Sequence, residues 1–384
     1  MFLIRRTKVE DVPMLLKLAR MVHFISLPAD KDIITSKAIH SRNCFIRAAA
    51  GSAKDPGVAG RAKQSGYGGF GAELGESDLF MFSLEDTQTG TVIGTSQLVA
   101  RMGGPGRPMV SFKLARKHFF SESLQSGTSH IVAKLHLDES GPTEIGGLIL
   151  QPSFRRHKLK LGRSLSLIRL HFIGLHRALF ADQMLAEMMG PITPDGHNLL
   201  WEYLGRRFIN LTYTEADRFC QYSREFMTSL LPREEIYLSL LPPEARALVG
   251  QVGAETAPAR HMLEKLGFEN RDFIDPFDGG PYLHAETDSI QIVRRTKRAK
   301  LGDAVSKAQC NRSGLVSVLD SDGEFRALST EYADTGRGRI RLPRQAMRVL
   351  EAKPGAEMGV TPLGEPGSTR PRARKAAPRK SGRV

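Results

Sequence analysis

The residues with the plainest chemistry stand between Gln151 and Ser164, QPSFRRHKLKLGRS. Arg155, Arg156, His157, Lys158 and Lys160 crowd a short turn, and Arg163 and Ser164 follow Gly162. Such a turn can hold a polyanion in two ways. Arg and Lys side chains make charge-assisted contacts to phosphate oxygens. Where a helix follows, its unpaired amides and positive dipole end meet the same anion. The spacing is neither GxxxxGK[ST] nor GxGxxG. On residue types alone, a pyrophosphate site and a basic solvated turn are both open, since charge runs are commonly plain surface.

The elements around the turn favour positioning of this kind. The apolar run Ile145 to Leu150 predicts a buried strand, ended by Gln151 and Pro152. From Gly162 onward, Leu165, Ile168, Phe172 and Leu175 recur at helical spacing and predict a helix packed on one face. Upstream, Phe2 to Arg5 reads as a strand, and Asp11 with Pro13 opens a helix that Asp11 should cap. A polar helix is expected from about Ala29 to Phe45, then a mobile Gly-, Ala- and Ser-rich loop over 47–76. Asp78 to Glu85 and Gly90 to Val99 predict a hairpin, and Phe112 to Phe120 and His130 to Leu137 two more strands. Gln183 to Met189 reads as a strand and Asn198 to Phe208 as a helix stopped at Gly205. Thr214 to Asp217, Phe219 to Leu231 and a segment starting at Pro242 read as helical. A last helix should be capped by Thr256 and closed by Gly267.

Composition bounds the rest. With 41% hydrophobic and 25% charged residues, the 384-residue chain is globular and long enough for one large domain or several. It lacks an apolar run of membrane-spanning length, and the N-terminus lacks a signal-peptide core, so a cytoplasmic protein without a membrane partner is expected. Cys44, Cys220 and Cys310 are scattered, which suggests neither disulfides nor a metal site. The net charge is +14, but +6 of it sits in residues 363–384, which read as a disordered basic tail. The remaining +8 suits a polyanionic cofactor and does not call for nucleic acid.

The segment Arg156 to Gly162 before a helix resembles the acyl-CoA pyrophosphate loop of the GNAT acyltransferases, with Leu159 where the first glycine is expected. A wider set of words resembles one branch, the arginine N-succinyltransferases: Ser26 to Ala29, Thr143 to Ile145, Leu148 to Leu150, Ala186 to Met188, Asp195-Gly196, Leu200-Trp201, Gly250 to Val252, Thr256 to Arg260, and Asp275 to Pro281 (DPFDGGP). The match covers roughly residues 1–362.

That resemblance implies an α/β fold with a GNAT-like, mixed, largely antiparallel sheet flanked by helices, in two GNAT-like halves. An acyltransferase domain over 1–295 and a small β-rich module over 296–362 are expected. It implies succinyl transfer from succinyl-CoA, a co-substrate with no tightly bound cofactor beside it, to the α-amino group of L-arginine. Homo- or hetero-oligomers are expected. The same fold with another acceptor or acyl group, or a silent subunit, stays open. Leu148 matches the family's succinyl-CoA contact. With it, Leu150, Arg155, Arg156, Lys158, Lys160, Gly162, Arg163 and Ser164 should hold the cofactor.

Three family positions differ. Gly253 stands where the family's acid/base histidine is expected, Met189 in place of an arginine, and Leu263 where a thiolate-protonating tyrosine would fall. Glu255 and His261 are the candidates to replace the histidine, against readings as a first-turn carboxylate and a surface helix residue. Glu144 and Glu187 match family glutamates and could receive the acceptor's cationic groups, or pair with a neighbouring Arg.

Overall fold

The computed structural model describes residues 1–21, 27–51, 77–193, 196–220 and 222–364. Residues 365–384 of the basic tail, most of the expected mobile loop and the start of the HFISLPA segment lie outside them, whereas Leu363 and Gly364, expected in the tail, belong to a strand.

Among the described residues fifteen strands join in one sheet, ordered β12-β15-β11-β14-β13-β1-β2-β3-β6-β7-β10-β9-β4-β5-β8. The first seven are β1 (Phe2–Arg6), β2 (Leu79–Asp86), β3 (Thr91–Val99), β4 (Met109–Ser121), β5 (Ser126–Asp138), β6 (Thr143–Leu150) and β7 (Gln183–Glu187). Three follow the helical middle of the chain: β8 (Ile236–Tyr237), β9 (Glu269–Ile274) and β10 (Pro281–Glu286). The last five are β11 (Lys297–Leu301), β12 (Arg312–Leu319), β13 (Phe325–Gly336), β14 (Arg339–Arg341) and β15 (Glu357–Gly364). Among the strands of the described residues only β6–β7 and β11–β14 pair in parallel, so the α/β fold carries a mixed, largely antiparallel sheet.

Apolar periodicity explains what covers it. Helix α1 (Val12–Arg20) buries Val12, Leu15, Leu18 and Ala19 against β3. Helix α2 (Lys31–Ala49) sets Phe45 edge-on to Phe80, Phe82 and Phe172, with centroids 5.1–5.5 Å apart. Helix α3 (Leu161–Leu175) is buried almost all round, because the C-terminal strands close over the side away from β6. There His171 is paired through its ring nitrogens with the hydroxyls of Thr361 (2.6 Å) and Ser317 (2.7 Å). Burial pushes that imidazole down to about 3, so it packs as a neutral group. Strands β11 to β15 close on themselves through a β12–β13 pairing and join the main sheet through β1–β13.

Several local expectations shift. Asp11 makes no side-chain cap bond to α1. Its carboxylate is taken by the buried Arg5 guanidinium (2.7 and 2.8 Å) and the Lys8 amide (2.8 Å), since a bidentate charged donor outcompetes one helix amide. Helix α2 runs on to Ala49, and Thr256 makes no side-chain cap bond to the helix Ala257–Leu266, which Gly267 closes at φ +103°. Gly205 is not a stop. Trp201–Gly205 forms a π-turn that continues as Arg206–Phe208, and a Cβ at 205 would lie 2.2 Å from the Trp201 ring. The following helical stretch is two pieces, Tyr213–Phe219 and Glu225–Leu230, the first started by a Thr212–Glu215 capping box.

Candidate active site

Strands β6 and β7 are paired only at Thr143–Met184 and Glu144–Leu185. Beyond that point β6 stays with β3 while β7 stays with β10, and the two part. A cavity of about 810 Å³ opens in the notch, lined by Ile145 to Leu150 on one side and Ala186 to Met189 on the other. Gly147, at φ +56°, bends β6 where its register against β3 shifts, and a side chain there would strike Gln97. Leu148 and Leu150 both line the cavity beyond this bend.

The basic loop forms one rim. Arg156 (φ 60°) and Lys160 (φ 51°) adopt left-handed backbone, which turns the chain sharply from β6 into α3. Arg155, Arg156, Lys158, Lys160, Gly162 and Arg163 line the cavity. Ser164 is buried and does not. Helix α3 begins at Leu161, and the amides of Arg163 and Ser164 donate to the Lys160 carbonyl (2.9 and 3.2 Å). The helix-end donors nearest the loop are therefore those of Leu161 and Gly162.

Glu255 faces this rim but is occupied. Its two oxygens accept from Arg155 at 2.8 and 3.0 Å, and that hydrogen bond and charge hold its carboxyl below the usual range. A carboxylate fixed in this way is a clamp between loop and helix and a weak base. His261 lies exposed on the same helix, outside the cavity. Gly253 donates its amide to the Met189 carbonyl (3.0 Å), and a Cβ at 253 would meet the Gly190 carbonyl at 3.2 Å. The position of the expected histidine thus abuts the end of β7.

The inner end of the cavity is acidic. Leu185 pairs with Glu144, and Glu187 lies two residues on, so both glutamates project from one face. Glu144 is 5% exposed. Glu187 is half-buried as a residue, yet its Oε1 is shut from solvent and has no hydrogen-bond partner among the described residues. Asp275 and Asp278 line the same end with their oxygens engaged. Asp275 accepts from the Phe277 and Asp278 amides (2.7 and 3.1 Å) and the Tyr282 hydroxyl (2.9 Å), and Asp278 accepts from the Gly190 and Gly280 amides (2.8 and 2.7 Å). Burial, reinforced by neighbouring carboxylates, pushes Glu187 and Asp278 up to about 8 and Asp217 to about 7. Arg169, 3% exposed, donates to the Gly146 carbonyl (3.0 Å) and to Ser166, and Lys37 and Arg224 add further positive charge nearby. A cavity with a basic mouth and an acidic floor can take a ligand that is anionic at one end beside another that is cationic.

The family model described as arginine N-succinyltransferase beta subunit matches residues 64–292. The chain belongs to the arginine N-succinyltransferase family. An arginine N-succinyltransferase of Escherichia coli O1:K1 / APEC is 33% identical over 277 residues, 72% of this chain and 79% of that one. One of Enterobacter sp. (strain 638) is 33% identical over 219 residues, 57% and 63% of the two chains. The structure of arginine/ornithine succinyltransferase subunit AI from Pseudomonas aeruginosa superposes with a TM-score of 0.73 at 26% identity, covering 95% of this chain and 99% of that one. The protein is accordingly an N-acyltransferase.

Sequence reasoning missed Arg169, which lines this succinyltransferase-family cavity, and Lys37 and Asp217, whose charges act on its buried carboxylates. For two of them a signal existed. Arg169 follows Leu165 and precedes Phe172 by three or four residues on the apolar stripe of α3, and Lys37 follows Ile33 and Ile34 in α2. A charge on a buried helix face needs a partner or a function.

The buried carboxylates make stability depend on pH in a defined direction. In the folded state Glu187, Asp278 and Asp217 hold protons up to about 8, 8 and 7, whereas the unfolded chain releases them near the ordinary carboxylate values. Folded protein then binds more protons, and stability falls as pH rises through this range. His171, His176 and His284, lowered to about 3, 4 and 4, act oppositely, but only below the ordinary histidine value of about 6.5. Lys37, lowered to about 8, opposes only above pH 8 or so. The melting temperature of the unliganded protein is expected to decline between about pH 6.5 and 8. Scanning calorimetry showing a rise across that window would contradict the buried acidic floor.

Proposed function

We propose that the protein transfers the succinyl group of succinyl-CoA to the α-amino group of L-arginine, a step of arginine breakdown. The observation that carries the reading is the cavity between the parted β6 and β7, with a basic rim at one end and buried carboxylates at the other. The rim residues Arg155, Arg156, Lys158, Lys160 and Arg163, with the α3 amides, take the CoA phosphates. Leu148 and Leu150 flank the thioester, where a β6 backbone amide polarises its carbonyl. Glu144 and Glu187 receive the acceptor's cationic groups. Strand, loop and helix in this order, followed by a parting parallel strand, support a GNAT-like arrangement in two halves.

Succinyl-CoA is a co-substrate in this reading and no resident cofactor is required. No three His, Cys, Asp or Glu residues cluster as a metal site among the described residues. No helix among them is long and apolar enough to cross a membrane. We place the protein in the cytoplasm, as a homo- or hetero-oligomer, with an acyltransferase domain over 1–295 and a smaller module over 296–362.

The test is thiol release from succinyl-CoA and acetyl-CoA against a panel of amino acids. Release is expected with succinyl-CoA and arginine, and less or none with acetyl-CoA. A preference for ornithine or another amine would reassign the acceptor. Full-length protein that binds CoA yet releases no thiol with arginine, ornithine or lysine would instead be a silent subunit.

A further inference from the structure

The expected histidine is replaced by Gly253, so aminolysis needs another proton acceptor. Four acidic side chains on the cavity wall already have other work or other partners. Glu255 is clamped by Arg155, and Asp275 and Asp278 hold the turn through backbone amides. Glu144 is buried among the positive charges of Arg224, Lys37 and Arg169. Glu187 differs. It ends β7 at the point where that strand leaves β6, across the notch from Leu148, and its Oε1 is buried without a hydrogen-bond partner among the described residues. Gly253 abuts the chain two residues further on, at Met189. Among the described residues, the structure leaves Glu187 with an unpartnered carboxylate oxygen in the cavity, on the strand that leads to the position of the missing base.

We propose that Glu187 is the catalytic base that takes the proton from the acceptor's α-amino nitrogen. The assignment rests on the acyl-transfer reading above. In the step, the amine lone pair forms the new C–N bond at the thioester carbonyl carbon. The amine proton passes to the Glu187 carboxylate, and the C–S bond breaks with its electron pair going to sulfur. The proton held on Glu187 then passes to the thiolate, so amide and free thiol leave and the carboxylate is restored. Burial, with Glu144, Asp275 and Asp278 facing Glu187 and Arg224 opposing them, raises it to about 8. That brings its proton affinity towards that of an amino-acid amine and suits it to both halves of the transfer. Tyr282, whose hydroxyl is bound to Asp275, also faces it.

Glu187→Gln keeps the shape and removes the basicity. In the full chain, turnover with succinyl-CoA and the best acceptor is expected to fall roughly 10²- to 10⁴-fold. CoA affinity by calorimetry should stay within about twofold, and the melting temperature should hold or rise because a desolvated acid is gone. The wild-type rise of log kcat with pH should flatten in Glu187→Gln and survive, at lower kcat, in Glu187→Asp. A merely structural glutamate would change stability and leave the profile alone. Active wild type beside a Glu187→Gln enzyme keeping above roughly a tenth of kcat, with the profile unchanged, would overturn the role of Glu187 alone. Wild type without turnover on any acceptor would overturn the acyl-transfer reading together with it.

Discussion

Replacing Arg156 and Lys160 together by Ala is expected to weaken CoA binding roughly 10- to 100-fold, about 1.4 kcal/mol per decade. Both side chains are exposed at the cavity rim, both line the cavity, and both sit at left-handed backbone positions that turn the loop around the helix end. Alanine keeps the Cβ, so the cost of that backbone conformation is the same before and after. What disappears is two charges and their hydrogen-bond donors. Arg155 is left in place because it also clamps Glu255, and its removal would confuse loss of contact with loss of loop position. Calorimetry with CoA at two salt concentrations gives the check, since exposed phosphate contacts weaken as salt rises. Unchanged affinity in the double variant would exclude this loop as the phosphate site.

Trp201→Ala should cost about 3–5 kcal/mol of stability. The indole is fully buried, stacks on Phe277 at 4.7 Å with planes 10° apart, and donates to the Leu211 carbonyl at 3.1 Å. Truncation empties the space that Gly205 in the π-turn leaves for the ring, and it leaves that carbonyl without its donor. Phe277 lies between Asp275 and Asp278, so the loss should reach the acidic floor as well as the core. Urea melts should show the stability change, and acceptor KM should rise at temperatures where the variant is still folded. A change below about 1 kcal/mol would mean that the site collapses around the void.

The sequence by itself determined whatever depends on neighbours along the chain. The strand Ile145–Leu150, the basic turn and the α3 stripe of Leu165, Ile168 and Phe172 are legible, because each is set by spacing within about a dozen residues. The same holds for the hairpin around Gly90 and the glycine that closes the helix Ala257–Leu266. Family words in the same stretches carried the fold class and the acyl-transfer chemistry.

Only the tertiary structure decided where charges end up. Glu255 looked free because the residue that claims it, Arg155, lies 100 positions away. Asp11 looked like a cap until Arg5 was seen folded onto it. The acidic floor is assembled from residues near 144, 187, 217 and 275–278, and no local pattern links them. The joining of β13 to β1 and the parting of β6 from β7 are likewise settled between distant segments. Desolvation and Coulomb interactions depend on distance and burial in space. The family resemblance named Glu187 as an acidic side chain near the acceptor, whereas burial and an unpartnered oxygen single it out as a base.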